Sequence, residues 1–392
     1  MKELILLGAT GSIGRQALDI LKYSYDYDLV GLTFSSNYNK IEEYLLYFPN
    51  LKYVGIIDEN AGKEFQNKYK NYEVIIGKDA NIKILELNKE AVVLNSILGN
   101  DGLVPTLVAL RQNQTLLLSN KESLVIGSSL FNSIRKKSKS KIYPIDSEHV
   151  GLYKLLNQIK EEKRNKKDIE SYVITASGGA LRDKEKKDLK NVKPEEVLSH
   201  PTWNMGNKIT IDSATLINKA YEVIEASILF NIPIKKIKPL ICRSSLIHAS
   251  ILFKDKCQIY ELSPVDMKVP ISFALSNGKT KAHEINFDQE KILKENTLEE
   301  IDFSFYPCFK LTLNMYKKFG NVGMIFFNAL DTKLIDEFIA NNIPFTDIYL
   351  GLKYLYLNFN IKEKLTEENV DKISTDAIKY ANKIIANKEY KK

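Results

Sequence analysis

The chain has 392 residues, 44% apolar and 27% charged, with a formal net charge of +7. This length exceeds what one hydrophobic core supports, so two or three domains are expected, and no apolar run is long enough to span a bilayer. Lysine is spread along the chain among Glu and Asp instead of forming a stripe interleaved with aromatics, which argues against a nucleic-acid partner and leaves at most a general attraction for small anions.

The first residues, Leu4–Leu7, read as a strand that runs into a glycine turn and not as a signal peptide. Gly8-Ala9-Thr10-Gly11-Ser12-Ile13-Gly14 then opens a helix from Arg15 to Leu21. A plain strand-to-helix turn would use the same glycines. The strand before it and the helix after it favour a turn whose backbone N–H groups approach a pyrophosphate at a helix N-terminus. The second strand, Leu29–Phe34, ends in Ser35-Ser36-Asn37 without the acid that holds a ribose 2′-OH, so NADP is favoured over NAD; no arginine stands there either. Further strands are expected at Val54–Ile57, Ala91–Asn95, Thr115–Leu118 and Ile142–Ile145, alternating with helical stretches. That alternation predicts a doubly wound α/β domain with a parallel sheet.

Strand ends in such sheets are where ligands bind, so Asn120, Lys121 and Glu122 are site candidates, although a polar helix start would look the same. The stretch IYPIDSEHV (142–150) has two readings. Asp146 or Ser147 caps a helix, or an extended backbone points Asp146 and Glu148 together at a cation. Taken alone, capping is favoured. Residues 160–167 and 183–196 are charge-dense and read as exposed, mobile segments. Between them lies a strand, Tyr172–Ala176, ending in Ser177-Gly178-Gly179. HPTWNMG (200–206) is a loop that holds the only tryptophan, Trp203, and is read as a lid instead of a core anchor.

In ITIDSATLINKAYEVIEASILF (209–230), Asp212 and Ser213 are expected to cap a helix beginning near Ala214. Ile217, Ala220, Tyr221, Ile224 and Ile228 form its apolar stripe, and Asn218, Lys219 and Glu222 share another face. That face is either a surface ion-pair triplet or a site with a metal carboxylate at Glu222 and anion contacts from Asn218 and Lys219. Residues 246–262 predict a hairpin turning near Lys254-Asp255-Lys256. From about residue 310 the pattern is helical, with a stripe of Ile373, Ala377, Tyr380, Ala381 and Ile384. Cys242, Cys257 and Cys308 lack metal spacing and suit a reducing cytoplasm.

Together the segments GATGSIG, SNKESLV, PIDSEH, SGGALR, HPTWNMGNKITIDSATLINKAYEVIEA, the YPC at Tyr306 and the FTDI at Phe345 resemble, in order, the 1-deoxy-D-xylulose 5-phosphate reductoisomerase family. The resemblance implies an NADPH- and divalent-metal-dependent enzyme of non-mevalonate isoprenoid synthesis, cytoplasmic and homodimeric, acting on a small phosphorylated sugar. The family's reaction breaks and re-forms a carbon–carbon bond and then reduces the aldehyde. The implied organisation is an N-terminal NADPH domain (1–146), a central α+β catalytic domain (147–275) with a mobile flap near 178–207, a linker (276–299) and a C-terminal helical domain (300–392).

Carried over residue by residue, the metal ligands are Asp146, Glu148 and Glu222, for Mg²⁺, Mn²⁺ or Co²⁺. The catalytic residues are Lys121, Glu148, His200 and Trp203. Substrate contacts add Ser147, Ser177, Ser213, Asn218, Lys219 and Glu222. Cofactor contacts are Thr10, Gly11, Ser12, Ile13, Ser35, Ser36, Asn37, Asn120, Glu122 and Gly206. The chain departs from the family at Ser35 and Ser36, where Gly and a basic residue are usual, with Lys40 nearby as a substitute charge. It departs again at Ala180, where Pro is usual, and at Asn328-Ala329-Leu330-Asp331, in place of an NAANE-like segment. Two rivals stand beside this reading: a metal-independent dehydrogenase using Tyr306/Lys310 or Tyr349/Lys353, and a non-catalytic NADP-binding sensor.

Overall fold

Leu4, Ile5, Leu6 and Leu7 have no exposed surface, as expected for a central strand of a sheet covered on both faces. They belong to β1 (Lys2–Leu7), followed by α1 (Ser12–Leu21) and β2 (Tyr27–Phe34). The chain continues through α2 (Glu42–Leu45), β3 (Tyr53–Ile56), α3 (Glu59–Lys68), β4 (Glu73–Ile76), α4 (Ala80–Leu87), β5 (Val92–Asn95), α5 (Leu103–Arg111), β6 (Leu116–Leu118), α6 (Lys121–Ile126), α7 (Ser128–Arg135) and β7 (Ile142–Pro144). All seven strands pair in parallel, in the order β4-β3-β2-β1-β5-β6-β7. Strand order reverses at β1, so the doubly wound sheet has its switch point beside the glycine turn. Edge strand β4 escaped the sequence reading because three of its four residues are only half-buried and the fourth is exposed.

The computed structural model describes residues 1–24, 26–203, 205–279 and 297–391. They fall into two units: the described residues of Met1–Leu124, Leu130–Val150 and Asp266–Glu284, and those of Val125–Ser129, Gly151–Val265 and Ile285–Lys392.

Helix α8 (Ser147–Glu161) begins directly after β7 and leads into the second unit. There a mixed sheet has the order β11-β10-β8-β9, from β8 (Ile169–Ala176), β9 (Ile237–Ile241), β10 (Ile247–Phe253) and β11 (Gln258–Leu262). The expected hairpin is β10–β11, turning at Lys256 with a left-handed φ of 72°. Strand β9 was hidden by Lys238 and Pro239, the latter a residue tolerated at a sheet edge. Alternate residues Tyr172, Ile174 and Ala176 of β8 and Ala249, Ile251 and Phe253 of β10 face one core with Leu152, Leu155 and Ile159 of α8.

Three helices line the route between β8 and β9: α9 (Pro194–Leu198), α10 (Asn207–Thr215) and α11 (Ile217–Phe230). Leu216 separates the last two in the left-handed conformation, φ 57°. The helix expected near Ala214 is therefore corrected: α10 starts seven residues earlier, and Asp212 and Ser213 sit in its last turn instead of capping a start. After α12 (Lys268–Leu275), which packs back on α1 and β7, come α13 (Pro307–Ile339), α14 (Thr346–Asn358) and α15 (Val370–Asn387). Gly320, at φ 57°, breaks α13 into two runs. On α15, Val370, Ile373, Ala377, Ala381 and Ile384 are buried, close to the expected stripe. The expected 276–299 linker lies mostly outside the described residues. Among the described residues no helix is long and apolar enough to cross a membrane.

The glycine turn is the tightest point of the first unit. Gly8 has φ +82°, and a Cβ there would lie 2.9 Å from the Ser96 carbonyl carbon and oxygen. Gly8→Ala is therefore expected to cost about 1–3 kcal/mol of stability. A denaturant-unfolding midpoint equal to that of the parent chain would contradict this packing.

Candidate active site

In the first unit, the backbone of the glycine turn is locked to its neighbours. Gly8 N–H donates to both the carbonyl (3.1 Å) and Oγ1 (3.2 Å) of Thr33, and Ala9 N–H to the same carbonyl (2.8 Å). From the other side Ser96 Oγ donates to the Leu7 carbonyl (2.7 Å). Helix α1 starts at Ser12 with Gly11 as its N-cap and no side-chain cap, so its first N–H groups are left for a ligand. Thr10, Gly11 and Ile13 are half-buried and Ser12 is exposed. Ser35, Ser36 and Asn37 are exposed at the end of β2, as is Lys40.

Asn120, 2% exposed, donates to the carbonyls of Ile97 and Gly99 (2.9 Å for the latter), and its Oδ1 accepts from Ser123 N–H (2.6 Å). Its amide thus staples the 97–99 loop to the start of α6. Beside it, Lys121 is buried with Nζ 2.5 Å from Asp146 Oδ2, and Glu122 is half-buried in the first turn of α6. The backbone is not extended through 146–148. Helix α8 begins at Ser147, Asp146 accepts from Val150 N–H (2.9 Å), and Ser147 Oγ donates to Glu148 Oε2 (2.6 Å). The helix-start reading of this stretch was right, yet it still leaves Asp146 and Glu148 at one helix end.

In the second unit, Ser177 Oγ accepts from Gly179 N–H (3.1 Å) and lies 2.9 Å from His200 Nε2. His200 Nδ1 accepts from Thr202 N–H (3.2 Å) and Trp203 N–H (2.9 Å). With Nδ1 occupied as an acceptor, the ring proton is on Nε2 and is donated to Ser177. Burial, reinforced by the Arg182 charge, lowers the His200 pKa from 6.5 to about 4, so the ring is neutral at pH 7. Ser177, accepting twice, has its own O–H left to donate. Arg182 fixes the loop by donating to the carbonyls of Ser177 (2.7 Å) and Arg243 (2.9 Å). Trp203 is half-buried, with its ring edge-to-face against His248.

Gly179, at φ +71°, lets this loop rest directly on the end of α10, where a Cβ would stand 2.6 Å from Ala214 Cα. Ser213 is in that same last turn, 9% exposed, and Gly206 is the N-cap of α10. On α11, Glu222 is 1% and Lys219 3% exposed. Glu222 accepts from Lys219 Nζ through one oxygen and from Asn218 Nδ2 (2.5 Å) through the other. The expected polar face is real, but Lys219 and Glu222 are buried and Asn218 half-buried, so it is no surface triplet.

Sequence reasoning missed Thr33, Ser96, Arg182 and Asp331, whose bonds join residues far apart in the chain and leave no local pattern. The rival Tyr–Lys pairs do not form a catalytic dyad. Tyr306 is buried, its hydroxyl donates to Gly178 O (2.9 Å), and burial pushes its pKa up to about 12. Lys310 lies over the Phe303 ring and Lys353 over the Tyr349 ring.

The chain matches three family profiles: 1-deoxy-D-xylulose 5-phosphate reductoisomerase over residues 4–128, the C-terminal domain of the same enzyme over 142–230, and the DXP reductoisomerase C-terminal domain over 262–382. It is 35% identical over 386 residues to the 1-deoxy-D-xylulose 5-phosphate reductoisomerase of Thermodesulfovibrio yellowstonii, covering 98% of this chain and 100% of that one. Identity to the Bacillus subtilis enzyme is 34%, with the same coverage. Among solved structures, DOX-P reductoisomerase in complex with NADPH, fosmidomycin and magnesium superposes with a TM-score of 0.88 at 28% identity, covering 98% of this chain and 99% of that one. The Zymomonas mobilis reductoisomerase with NADPH gives 0.85 at 28%, covering 97% and 98%.

The Ser177–His200 pair makes a direct prediction. Its depressed pKa means that folding opposes protonation: the ring costs stability as pH falls below the unfolded value of 6.5, and the cost levels off below about 4. Nitrogen-detected NMR should find Nε2–H, Nδ1 unprotonated, and no titration until the pH approaches about 4. A midpoint near 6.5 would contradict the described bonding.

Proposed function

Because the chain belongs to the 1-deoxy-D-xylulose 5-phosphate reductoisomerase family, we infer that it isomerises and reduces 1-deoxy-D-xylulose 5-phosphate to 2-C-methyl-D-erythritol 4-phosphate with NADPH and a divalent cation. This places it in non-mevalonate isoprenoid synthesis. The observation that carries the reading is the polar face of α11, where buried Glu222 and Lys219 and half-buried Asn218 follow directly on the α10 turn that carries Ser213 and supports the Ser177 loop.

Asp146, Glu148 and Glu222 would hold the cation. Their donors are all carboxylate oxygens, which fit a hard ion such as Mg²⁺ or Mn²⁺, with Co²⁺ as a further candidate. When bound, the cation supplies Lewis-acid polarisation of the substrate's carbonyl and hydroxyl oxygens, and NADPH supplies the hydride. The chain's own residues do the rest. Lys121 places positive charge near the reacting oxygens, with Ser147 and Glu148 beside it. Ser177, polarised by the Nε2–H of neutral His200, donates its proton to the substrate phosphate together with Ser213, Asn218 and Lys219. That binding energy, remote from the reacting carbons, orients them and draws Trp203 over the substrate as part of a mobile flap.

For the cofactor, Thr10, Gly11, Ser12 and Ile13 present the start of α1 to the pyrophosphate. Ser35, Ser36 and Asn37 hold the 2′-phosphate by neutral hydrogen bonds. Glu122 and Gly206 complete the contacts, and Asn120 acts through the 97–99 loop. The three-domain division stated above is the working arrangement. The exposed Tyr260 and Leu262 on edge strand β11 support a homodimer, and the free cysteines are compatible with the cytoplasm.

The direct assay follows NADPH oxidation with deoxyxylulose phosphate, with and without divalent metal. Turnover that survives chelation would overturn the reading. Glu222→Gln should lose at least about a hundredfold in kcat/KM, equivalent to ~2.7 kcal/mol, in a protein that still folds. Full activity of that variant at saturating metal would remove Glu222 from the ligand set. Trp203→Ala should raise KM for the sugar phosphate and leave NADPH affinity unchanged; equal loss of both would make Trp203 a structural anchor.

A further inference from the structure

Lys208, Asp212 and Asp331 form a charge cluster that the reaction does not use. Lys208 and Asp212 lie one turn apart on α10, and Asp331 comes from α13, 123 residues beyond Lys208. Lys208 Nζ donates to Asp212 Oδ2 at 2.7 Å and to Asp331 Oδ2 at 2.5 Å. Asp212 is 7% and Asp331 1% exposed. Their other oxygens, Asp212 Oδ1 and Asp331 Oδ1, are both buried with no hydrogen-bond donor among the described residues. Two orphaned acceptors on adjacent acids are satisfied at once by a single proton held between them.

Among the described residues little else is near to neutralise the pair. From α13 the other titratable group facing it is Cys308, kept protonated by burial and by the two carboxylates; from α11 it is Tyr221. The acids of α9, Glu195 and Glu196, are exposed. Burial would lower the Lys208 pKa, but its two carboxylate partners outweigh it and raise it well above 10.5, so Lys208 remains charged. With one proton on the pair the cluster is neutral; without it the cluster carries one net negative charge.

The cluster clamps a helix that has no side-chain N-cap and ends at a left-handed Leu216. The last turn of that helix carries Ser213, and Ala214 is the floor on which the Gly178-Gly179 loop rests. We propose that Asp331 is a positioning residue: it shares a proton with Asp212 across Lys208, and this neutral clamp sets the α10 end that presents Ser213 and supports Ser177 for phosphate capture. The proposal rests on the reading of Ser177 and Ser213 as phosphate ligands.

The sign follows from the charge. Burial first, then the Asp331 charge, push the Asp212 carboxyl up from 3.8 to about 7, against the opposing pull of Lys208. A folded-state value above the unfolded one contributes stability that is complete at low pH and is lost as pH rises through about 7. Over the same range a negative charge appears next to the phosphate-binding turn. Both effects weaken substrate binding in alkali.

Asp331→Asn tests this, because its amide can donate to Asp212 Oδ1 and accept from Lys208 with no shared proton. Between about pH 6 and about pH 8.5, the wild-type KM for deoxyxylulose phosphate should rise at least about threefold more than that of the variant, and the wild-type unfolding midpoint should fall relative to the variant's, the His200 contribution being common to both. Ionisation of the substrate phosphate is common to both proteins and cancels in the ratio. Infrared spectroscopy of the wild type should find a protonated-carboxyl band that disappears through neutral pH, a readout independent of whether the variant folds. Absence of that band, or identical pH profiles in the two proteins, would overturn the proposal. Absence of any wild-type turnover would instead overturn the functional reading and the phosphate half of the proposal; the infrared band and unfolding profile separate that failure from loss of the shared proton.

Discussion

A carboxylate that is 1% exposed must find positive charge, since burying an uncompensated ion costs several kcal/mol. Glu222 is that group, and the local sequence around it is arranged accordingly. Lys219 and Asn218 precede it by three and four positions, which brings both side chains to its two oxygens on one face of α11. The opposite face, with Ala220, Val223 and Ile224, supplies the burial. The same economy recurs where Lys121 meets Asp146 and where Lys208 meets Asp212 and Asp331. Lysines thus stand against buried carboxylates both in the candidate site and beside it. That is a suitable starting state for exchanging one cation for another and for receiving a phosphate.

Neutral groups complete this arrangement. His200 is kept uncharged by burial and by Arg182, so its role toward Ser177 is that of a fixed donor and not of a titrating base. Its other nitrogen is occupied by the backbone of the Trp203 loop, which ties the tryptophan's placement to the serine that would receive the substrate. In the proposed cofactor site, Ser36 offers a hydroxyl where the family usually has a basic residue, and Ser35 stands in place of Gly. Tyr306, which by spacing could have served a different dehydrogenase chemistry, is consumed as a buried brace on Gly178.

Much of this was legible in the chain because short-range rules dictate it. Apolar runs bounded by polar stretches specified the central strands, and Gly8, with its left-handed φ and its contact with Ser96, marks a turn where a side chain cannot fit. What was misread has identifiable causes. Strand β4 is only half-buried, and β9 carries a lysine and a proline, so neither has the apolar signature of a central strand. The break between α10 and α11 falls on Leu216, whose left-handed conformation no sequence rule for glycine or asparagine would find. Asp212 looked like a helix cap because its partner, Lys208, stands one turn before it in a helix whose start carries no side-chain cap to mark it. The polar face of α11 was visible as a pattern, but its burial depends on tertiary packing that spacing alone does not encode.

Glu222 is either a metal ligand, as proposed, or a structural ion-pair partner, and metal affinity separates the two most directly. Titrating Mn²⁺ into wild-type protein and the Glu222→Gln variant, with free ion followed by electron paramagnetic resonance, needs neither substrate nor NADPH. The account predicts one site in the wild type and an affinity at least about tenfold weaker in the variant. Equal affinity in both proteins, with both folded, would contradict it.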